Sequence, residues 1–455
     1  MPNSGSVFFP VICLLLFLAF LGTACTQAAS CPEHSNAETI PLDVGQVDVL
    51  WSRIVMDEED AVDPGFLTTP VATDNRVYVA TGSYVSSEAG KVLAYDLKTG
   101  AQLWEFQLIN SYGFNDWASA VAIDDDVLYV VSRSGNIVAL DAEHGTLIWQ
   151  DDFGGRASVP VIANDVVYTK PSTGGTMLAR DARTGKRLWW NSGDSSGFHG
   201  FDGPVVTEDS VYANSWLYLY SVDRTTGETR WTSHAGGHAR RVLAEEGTVY
   251  VVDGPTWYAL EAATGDVLWK SNIDDDVSRY EVGRGFLRKG TLWSSISPLK
   301  PLVAIESATG KHRKEVRGVC GSPFPGPKGV VLAVDGPNLA ALNDDGGTLL
   351  WKINLEGPVA EAMWQGDTVY AFTASGRVVA LAAATGELRW QSHVDNALDI
   401  QGVLAPATGT IGDVMTFPSR FDPNLAHYVG KASTVSGDVF LVTGGSVLFA
   451  FTPSE

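Results

Sequence analysis

A chain of 455 residues that is 45% apolar, with 47 Gly and 14 Trp, has the material for a large core and is neither disordered nor collagen-like; its length alone allows two or three domains. Its 53 acidic residues outnumber 31 Lys and Arg, for a formal charge of −22. That balance argues against a nucleic-acid footprint, which needs a basic face, and its plain meaning is an acidic, solubilising surface.

From the N-terminus, Val7 to Ala24 is uncharged and strongly apolar and runs into the small-residue stretch GTACTQAAS. This is the pattern of an export signal with its cleavage region. Residues 1–28 therefore read as signal, 29–44 as a linker arm and 45–455 as the folded region. Cys25, after Gly22-Thr23-Ala24, resembles the lipoprotein box whose Cys becomes the lipid-carrying first residue. Gly22 stands where that box has Leu, Val or Ile, and no Lys or Arg precedes Arg53, so cleavage after Ala28 and an uncleaved anchor stay open. The expected location is the cell membrane or an outer membrane, on the periplasmic or extracellular face, with the membrane reached through the lipid. Cys13 falls in the signal. With Cys25 lipidated, Cys31 and Cys320 remain as the natural disulfide pair of an oxidising compartment, against the alternative of two free thiols. No Cys or His spacing points to zinc.

The segment VDVLWSRIV, around Trp51, reads as an outer strand without strands of its own before it. Next comes AYDLKTGAQLW, Ala94 to Trp104, and this pattern recurs down the chain. It returns as ALDAEHGTLIW to Trp149, ARDARTGKRLW to Trp189, SVDRTTGETRW to Trp231 and ALEAATGDVLW to Trp269. AIESATGKHRK keeps the turn but has Lys314 for the indole, a change that predicts weaker docking; ALNDDGGTLLW and ALAAATGELRW restore it at Trp351 and Trp390. The turn glycines lie 37 to 45 residues apart, a period of arrays and propellers.

Upstream of each motif, a short run such as SAVAID precedes a β-branched and aromatic run such as DVLYVV, then a polar or Gly-rich turn and another apolar run. Each unit is thus four short antiparallel strands, and such a sheet covers its faces only by stacking on others radially. Thr-Gly supplies the positive φ of a tight turn, the Asp and Thr side chains bond turn backbone, and the small Ala leaves room. Trp51, Trp104, Trp149, Trp189, Trp231, Trp269, Trp351 and Trp390 are expected to dock blade on blade, indole N–H on a neighbouring carbonyl. The C-terminal GDVFLVTGGSVLFAF supplies strands without a following Trp, so it completes a composite blade with the Trp51 strand and leaves no long edge open. Nine units result.

The pattern A-x-D-x-x-T-G-x-x-x-W over residues 45–455 resembles the tryptophan-docking repeat of quinoprotein-dehydrogenase-like propellers, the PQQ-like repeat family. The resemblance implies an all-β, single β-propeller, with eight as the family's familiar blade number. It also implies one of two branches. Dehydrogenases hold pyrroloquinoline quinone (PQQ) and Ca²⁺ in the funnel, and many alcohol-oxidising members use a vicinal Cys-Cys; no adjacent cysteines occur here, and the blades carry few long insertions. Exported propellers resembling the BamB-like lipoproteins are non-catalytic, and a signal, a candidate lipid-modified Cys and near-bare repeats fit that branch better. The expectation is therefore a membrane-anchored scaffold for envelope or secreted proteins, a monomer or part of a complex, with no catalytic residues and no cofactor. A PQQ-dependent alcohol or sugar dehydrogenase and a small-ligand or metal sensor are the alternatives.

Loops from each Trp strand to the next inner strand, and loops between second and third strands, are expected on one face. There GDSSGFHGFDG and TSHAGGHARR gather His199, Asp202, His234, His238, Arg240 and Arg241, an imidazole and cationic concentration suited to an anion, a metal or an acidic partner segment, or else to ordinary polar loops. Asp274, Asp275 and Asp276 share that face and read as a solvated charge run. The long stretch Gly402 to Asp438, with Phe417, Phe421 and Tyr428, is the first candidate for a partner surface.

Overall fold

The computed structural model describes residues 38–39, 49–54, 66–68, 70–82, 89–110, 113, 115–132, 134–152, 158, 160–170, 176–193, 203–215, 217–235, 241–273, 285–295, 301–373, 375–393, 440–444 and 447–451. Among these residues there is no helix, and the strands form nine sheets. Eight are blades built on four consecutive antiparallel strands, here numbered 1 (71–107), 2 (118–152), 3 (161–191), 4 (205–233), 5 (241–272), 6 (285–320), 7 (322–354) and 8 (359–393); the sheets of blades 1 and 7 each carry a short fifth strand, Phe66–Leu67 in blade 1 and Glu38–Thr39 in blade 7. The chain is an all-β propeller. In the ninth, composite sheet the N-terminal Val49–Ile54 pairs antiparallel with Val447–Phe451, which pairs with Phe440–Gly444.

The register explains the repeat. In blade 2, Ala122, Tyr129, Ala139 and Trp149 stand opposite one another across the four strands. The same row is Val161-Tyr168-Ala179-Trp189 in blade 3 and Leu243-Tyr250-Ala259-Trp269 in blade 5. With only a methyl group between them, the two rings lean together, 6.1 Å between centroids for Tyr129 and Trp149. A bulge directly after the small residue, between Ala139 and Leu140, lets the outer strand turn tightly into the Thr-Gly hairpin.

The Trp of one blade docks on the turn of the next. Trp149 Nε1 donates to Ala182 O at 2.8 Å, and Tyr129 Oη donates to the same carbonyl at 3.1 Å. Trp104 and Tyr78 share Ala142 O in the same way, both at 3.1 Å. Burial pushes the Tyr78 and Tyr129 phenols up, so both remain protonated donors. Trp51 to Leu97 O, Trp189 to Arg224 O, Trp231 to Ala262 O, Trp269 to Ser307 O and Trp351 to Ala383 O repeat the bond at 2.8–2.9 Å. Trp390 is buried and leans on Tyr370. In the turns of blades 1 to 4 an Asp bonds the turn backbone: Asp96 Oδ1 accepts from Thr99 N at 2.8 Å and from Thr99 Oγ1 at 2.7 Å, and Asp141, Asp181 and Asp223 accept likewise from His144 N, Thr184 N and Thr226 N.

Blade 6 solves the loss of its outer Trp. Its row reads Phe286-Trp293-Ala304-Lys314, so the indole has moved to the second strand, where the other blades carry Tyr or Leu. Trp293 is fully buried, and it stands with Val316 against the turn glycine of blade 7, Gly347. A different strand thus supplies the packing at this junction, without the indole bond of the other blades: among the described residues the Trp293 N–H has no hydrogen-bond partner, and Lys314 Nζ reaches Gly347 O at 3.5 Å.

The linker arm is not free of structure. Glu38–Thr39 pairs in parallel with the outer strand of blade 7, Leu349–Asn354, Glu38 opposite Ile353. Cys320 is fully buried and disulfide-bonded. Its expected partner Cys31, the signal 1–28 with Cys25, and the stretch 402–438 lie outside the described residues.

Candidate binding face

Two sets of connections meet at one end of the blades, and polar side chains at the strand ends tie them together. In the connection from blade 1 to blade 2, Asp116 N donates to Leu108 O at 3.0 Å and Asp116 O accepts from Gly90 N at 2.8 Å. The buried Asp116 carboxylate accepts from Trp117 N at 2.9 Å, from Ser134 N at 3.3 Å and from the Ser134 hydroxyl. One carboxylate thus clamps an outer-to-inner connection onto the second-to-third-strand turn of blade 2. Gly90 is required for this approach, since a Cβ there would stand 2.9 Å from Thr81 O and 3.0 Å from Asp116 O.

The same logic holds further round. Lys170, at the end of the second strand of blade 3, is 1% exposed, and its Nζ donates to Asn214 Oδ1 of blade 4 at 2.9 Å. Ser158 donates through its hydroxyl to Lys170 O at 3.0 Å. Between blades 5 and 6, Trp257 Nε1 donates to Ser294 Oγ at 2.8 Å. In blade 8, Arg377 Nη2 donates to Gln391 Oε1 at 2.7 Å; burial pushes its guanidinium down, and Glu356 opposes that shift.

Of the six residues the sequence gathers on this face, His234 and Arg241 are described; His199, Asp202, His238 and Arg240 lie outside, as do Asp274, Asp275 and Asp276. The exposed His234 ring stands 4.4 Å from that of Tyr218, in the turn between the second and third strands of blade 4. Arg241 opens the inner strand of blade 5, half-buried and opposite Val252. The described chain thus brings the blade 4 to blade 5 connection onto the turn carrying Tyr218. Asp116, Lys170, Asn214 and Tyr218 carry no motif; a Lys or Asn at the end of a strand reads as solvated until a neighbouring blade covers it. Among the described residues, no three His, Cys, Asp or Glu side chains gather closely enough to hold a metal ion.

The profile of the PQQ_2 family, described as outer membrane protein assembly factor BamB, matches residues 88–216, 217–285 and 288–420. The chain belongs to this family. It is also similar to tetrathionate hydrolase of Acidithiobacillus ferrooxidans, 24% identical over 234 residues, or 46% of this chain and 45% of that one. Outer membrane protein assembly factor BamB of Kangiella koreensis is 27% identical over 146 residues, 30% of this chain and 37% of the relative. The chain thus spans under half the length of either relative. Among solved structures, BamB from Moraxella catarrhalis superposes with a TM-score of 0.51 at 18% identity, over 73% of this chain and 96% of that one, a likeness of fold.

Proposed function

We propose that this PQQ_2-family chain is a non-catalytic scaffold that binds proteins at the cell envelope and works without PQQ or Ca²⁺. The observation that carries this reading is the family match, three consecutive stretches within residues 88–420 under the description of an outer membrane assembly factor. The repeat chemistry agrees with it. The Asp, Thr, Gly and Trp of the recurring motif are spent on turns and docking bonds, as in Asp96–Thr99 and Trp149–Ala182. The face carrying Tyr218, His234 and Arg241 is then a surface for a partner. In this reading the chain is exported and held at the membrane through Cys25.

Affinity purification of the tagged chain from envelope membranes, with a signal-less cytoplasmic form as control, tests the reading. A defined set of envelope proteins is expected with the exported form alone. Substrate-dependent dye reduction with alcohols or sugars in the presence of PQQ and Ca²⁺, or turnover of tetrathionate, would overturn it.

A further inference from the structure

Resting on that scaffold reading, we propose that the outer strand of blade 3, Arg187–Asn191, is a docking edge for an extended acidic and apolar segment of a partner protein, which adds to the blade as a fifth strand beside Trp190. The starting point is a break in the repeat. The residue after each docking Trp is polar in the other units: Ser52, Glu105, Gln150, Thr232, Lys270, Lys352 and Gln391. In blade 3 it is Trp190, which stands opposite Leu178 in the register and is 56% exposed. Leu188, on the same strand, is 49% exposed. Neither side chain serves the docking of blade 3 on blade 4, which Trp189 performs through Arg224 O.

Charge around this strand runs against that of the molecule. Arg183, Lys186 and Arg187 are all exposed on the same hairpin, in a chain whose net charge is −22; Arg183 stands 4.0 Å from both Asp126 and Asp165, so Lys186 and Arg187 carry the basic character of the strand's start. The only acid between Arg180 and Trp190 is Asp181, whose carboxylate is engaged by Thr184 N at 2.8 Å and Thr184 Oγ1 at 2.7 Å. A strand entered through exposed Lys186 and Arg187 and carrying exposed Leu188 and Trp190 suits a segment that alternates acidic and apolar side chains.

Backbone geometry selects the kind of partner. Among the described residues, Arg187–Asn191 is the last strand of its sheet, so one side of its backbone is an open ladder. This chain already fills the equivalent edge of blade 7 with a strand, Glu38–Thr39 in parallel with Leu349–Asn354. Main-chain bonds then give affinity and alternate side chains give specificity. A lipid surface fits less well, because an open strand edge does not enter hydrocarbon with its N–H and C=O groups unpaired.

The test is fluorescence anisotropy with the full chain in detergent micelles and a labelled, end-capped peptide of alternating Glu and Val. Saturable binding is expected, weakened about tenfold or more by Trp190→Ser and unmoved by Thr232→Ser at the equivalent place in blade 4, where the side chain is exposed. A peptide with a central Pro, which removes a ladder N–H, and a Lys/Val counterpart are both expected to bind far more weakly. Both protein variants should keep the parental melting temperature, because neither side chain is in the core. Absence of saturable binding, affinity indifferent to Trp190→Ser, or displacement of the peptide by phosphatidylcholine–phosphatidylglycerol bicelles would overturn the proposal. If a Trp190→Ser chain captures the same envelope proteins as the parent, the docking edge is overturned while the scaffold reading stands.

Discussion

The turn glycine Gly145 of blade 2 lies flat against the indole of Trp104 in blade 1: a Cβ built on Gly145 would stand 2.5 Å from Trp104 Cδ2. Its φ of +69° shows that the same residue also makes the left-handed turn. Two demands meet at one position, conformation and closeness. Gly100 on Trp51, Gly185 on Trp149, Gly227 on Trp189, Gly265 on Trp231, Gly310 on Trp269 and Gly386 on Trp351 repeat the contact.

The two demands separate by comparison. Gly247 also has a positive φ, +78°, but a Cβ there meets nothing within 4 Å. Gly247→Ala is expected to cost about 1–2 kcal/mol from backbone strain alone. Gly145→Ala adds overpacking against the indole, a further cost of about 1–3 kcal/mol. Urea denaturation of the two variants measures the difference, and equal losses would show that closeness at Gly145 costs nothing.

Truncating a docking Trp opens a cavity and removes a donor. Trp149→Ala is expected to destabilise by about 3–5 kcal/mol. Trp149→Phe keeps most of the ring and loses the bond to Ala182 O, so it should cost distinctly less. Calorimetric melting of both variants decides; a Phe variant as damaged as the Ala variant would mean that the hydrogen bond, not packing, holds the blades.

In blade 6 the expectation reverses between two positions. Trp293→Ala should destabilise by about 3–5 kcal/mol, as for a docking Trp, because the indole is fully buried against Gly347. Lys314→Ala, at the place where other units keep the Trp, should stay within about 0.5 kcal/mol. Denaturant midpoints for the pair would show the reverse order if Lys314 carried the junction.

Acid should loosen the turns before the blades. The guanidinium of Arg230 and the backbone of Thr226 and Thr225 hold the Asp223 carboxyl down to about 2, from an ordinary 3.8. The Thr99 and Thr184 hydroxyls lower Asp96 and Asp181. A carboxylate so held binds its proton more weakly folded than unfolded, so its stabilisation is complete above 3.8 and is lost as the pH falls toward 2. Melting temperature should therefore fall over that window, and Asp223→Asn should make the fall shallower. A profile unchanged by the substitution would remove Asp223 from the cause.

Much of the blade was legible along the chain, because its causes are local. Thr-Gly fixes the turn of the hairpin, unbroken β-branched and aromatic runs mark strands buried on both faces, and a period near forty residues has few other meanings. Pairing of Val49–Ile54 with Val447–Phe451 could also be anticipated, since each end lacked what the other supplied. The rest depends on residues far apart in sequence. Lys314 looked like a lost contact until the register set Trp293 and Ala304 in the same row. No pattern along the chain singled out Lys170 or Asp116, which other strands and connections cover, or showed that Trp189 reaches the next blade while its neighbour Trp190 faces outward. Turn and strand propensities act within a few residues, and so the chain wrote its own blade. Burial is a property of two surfaces meeting, and only the packing of blade on blade decided which polar side chains are enclosed and which apolar ones face outward.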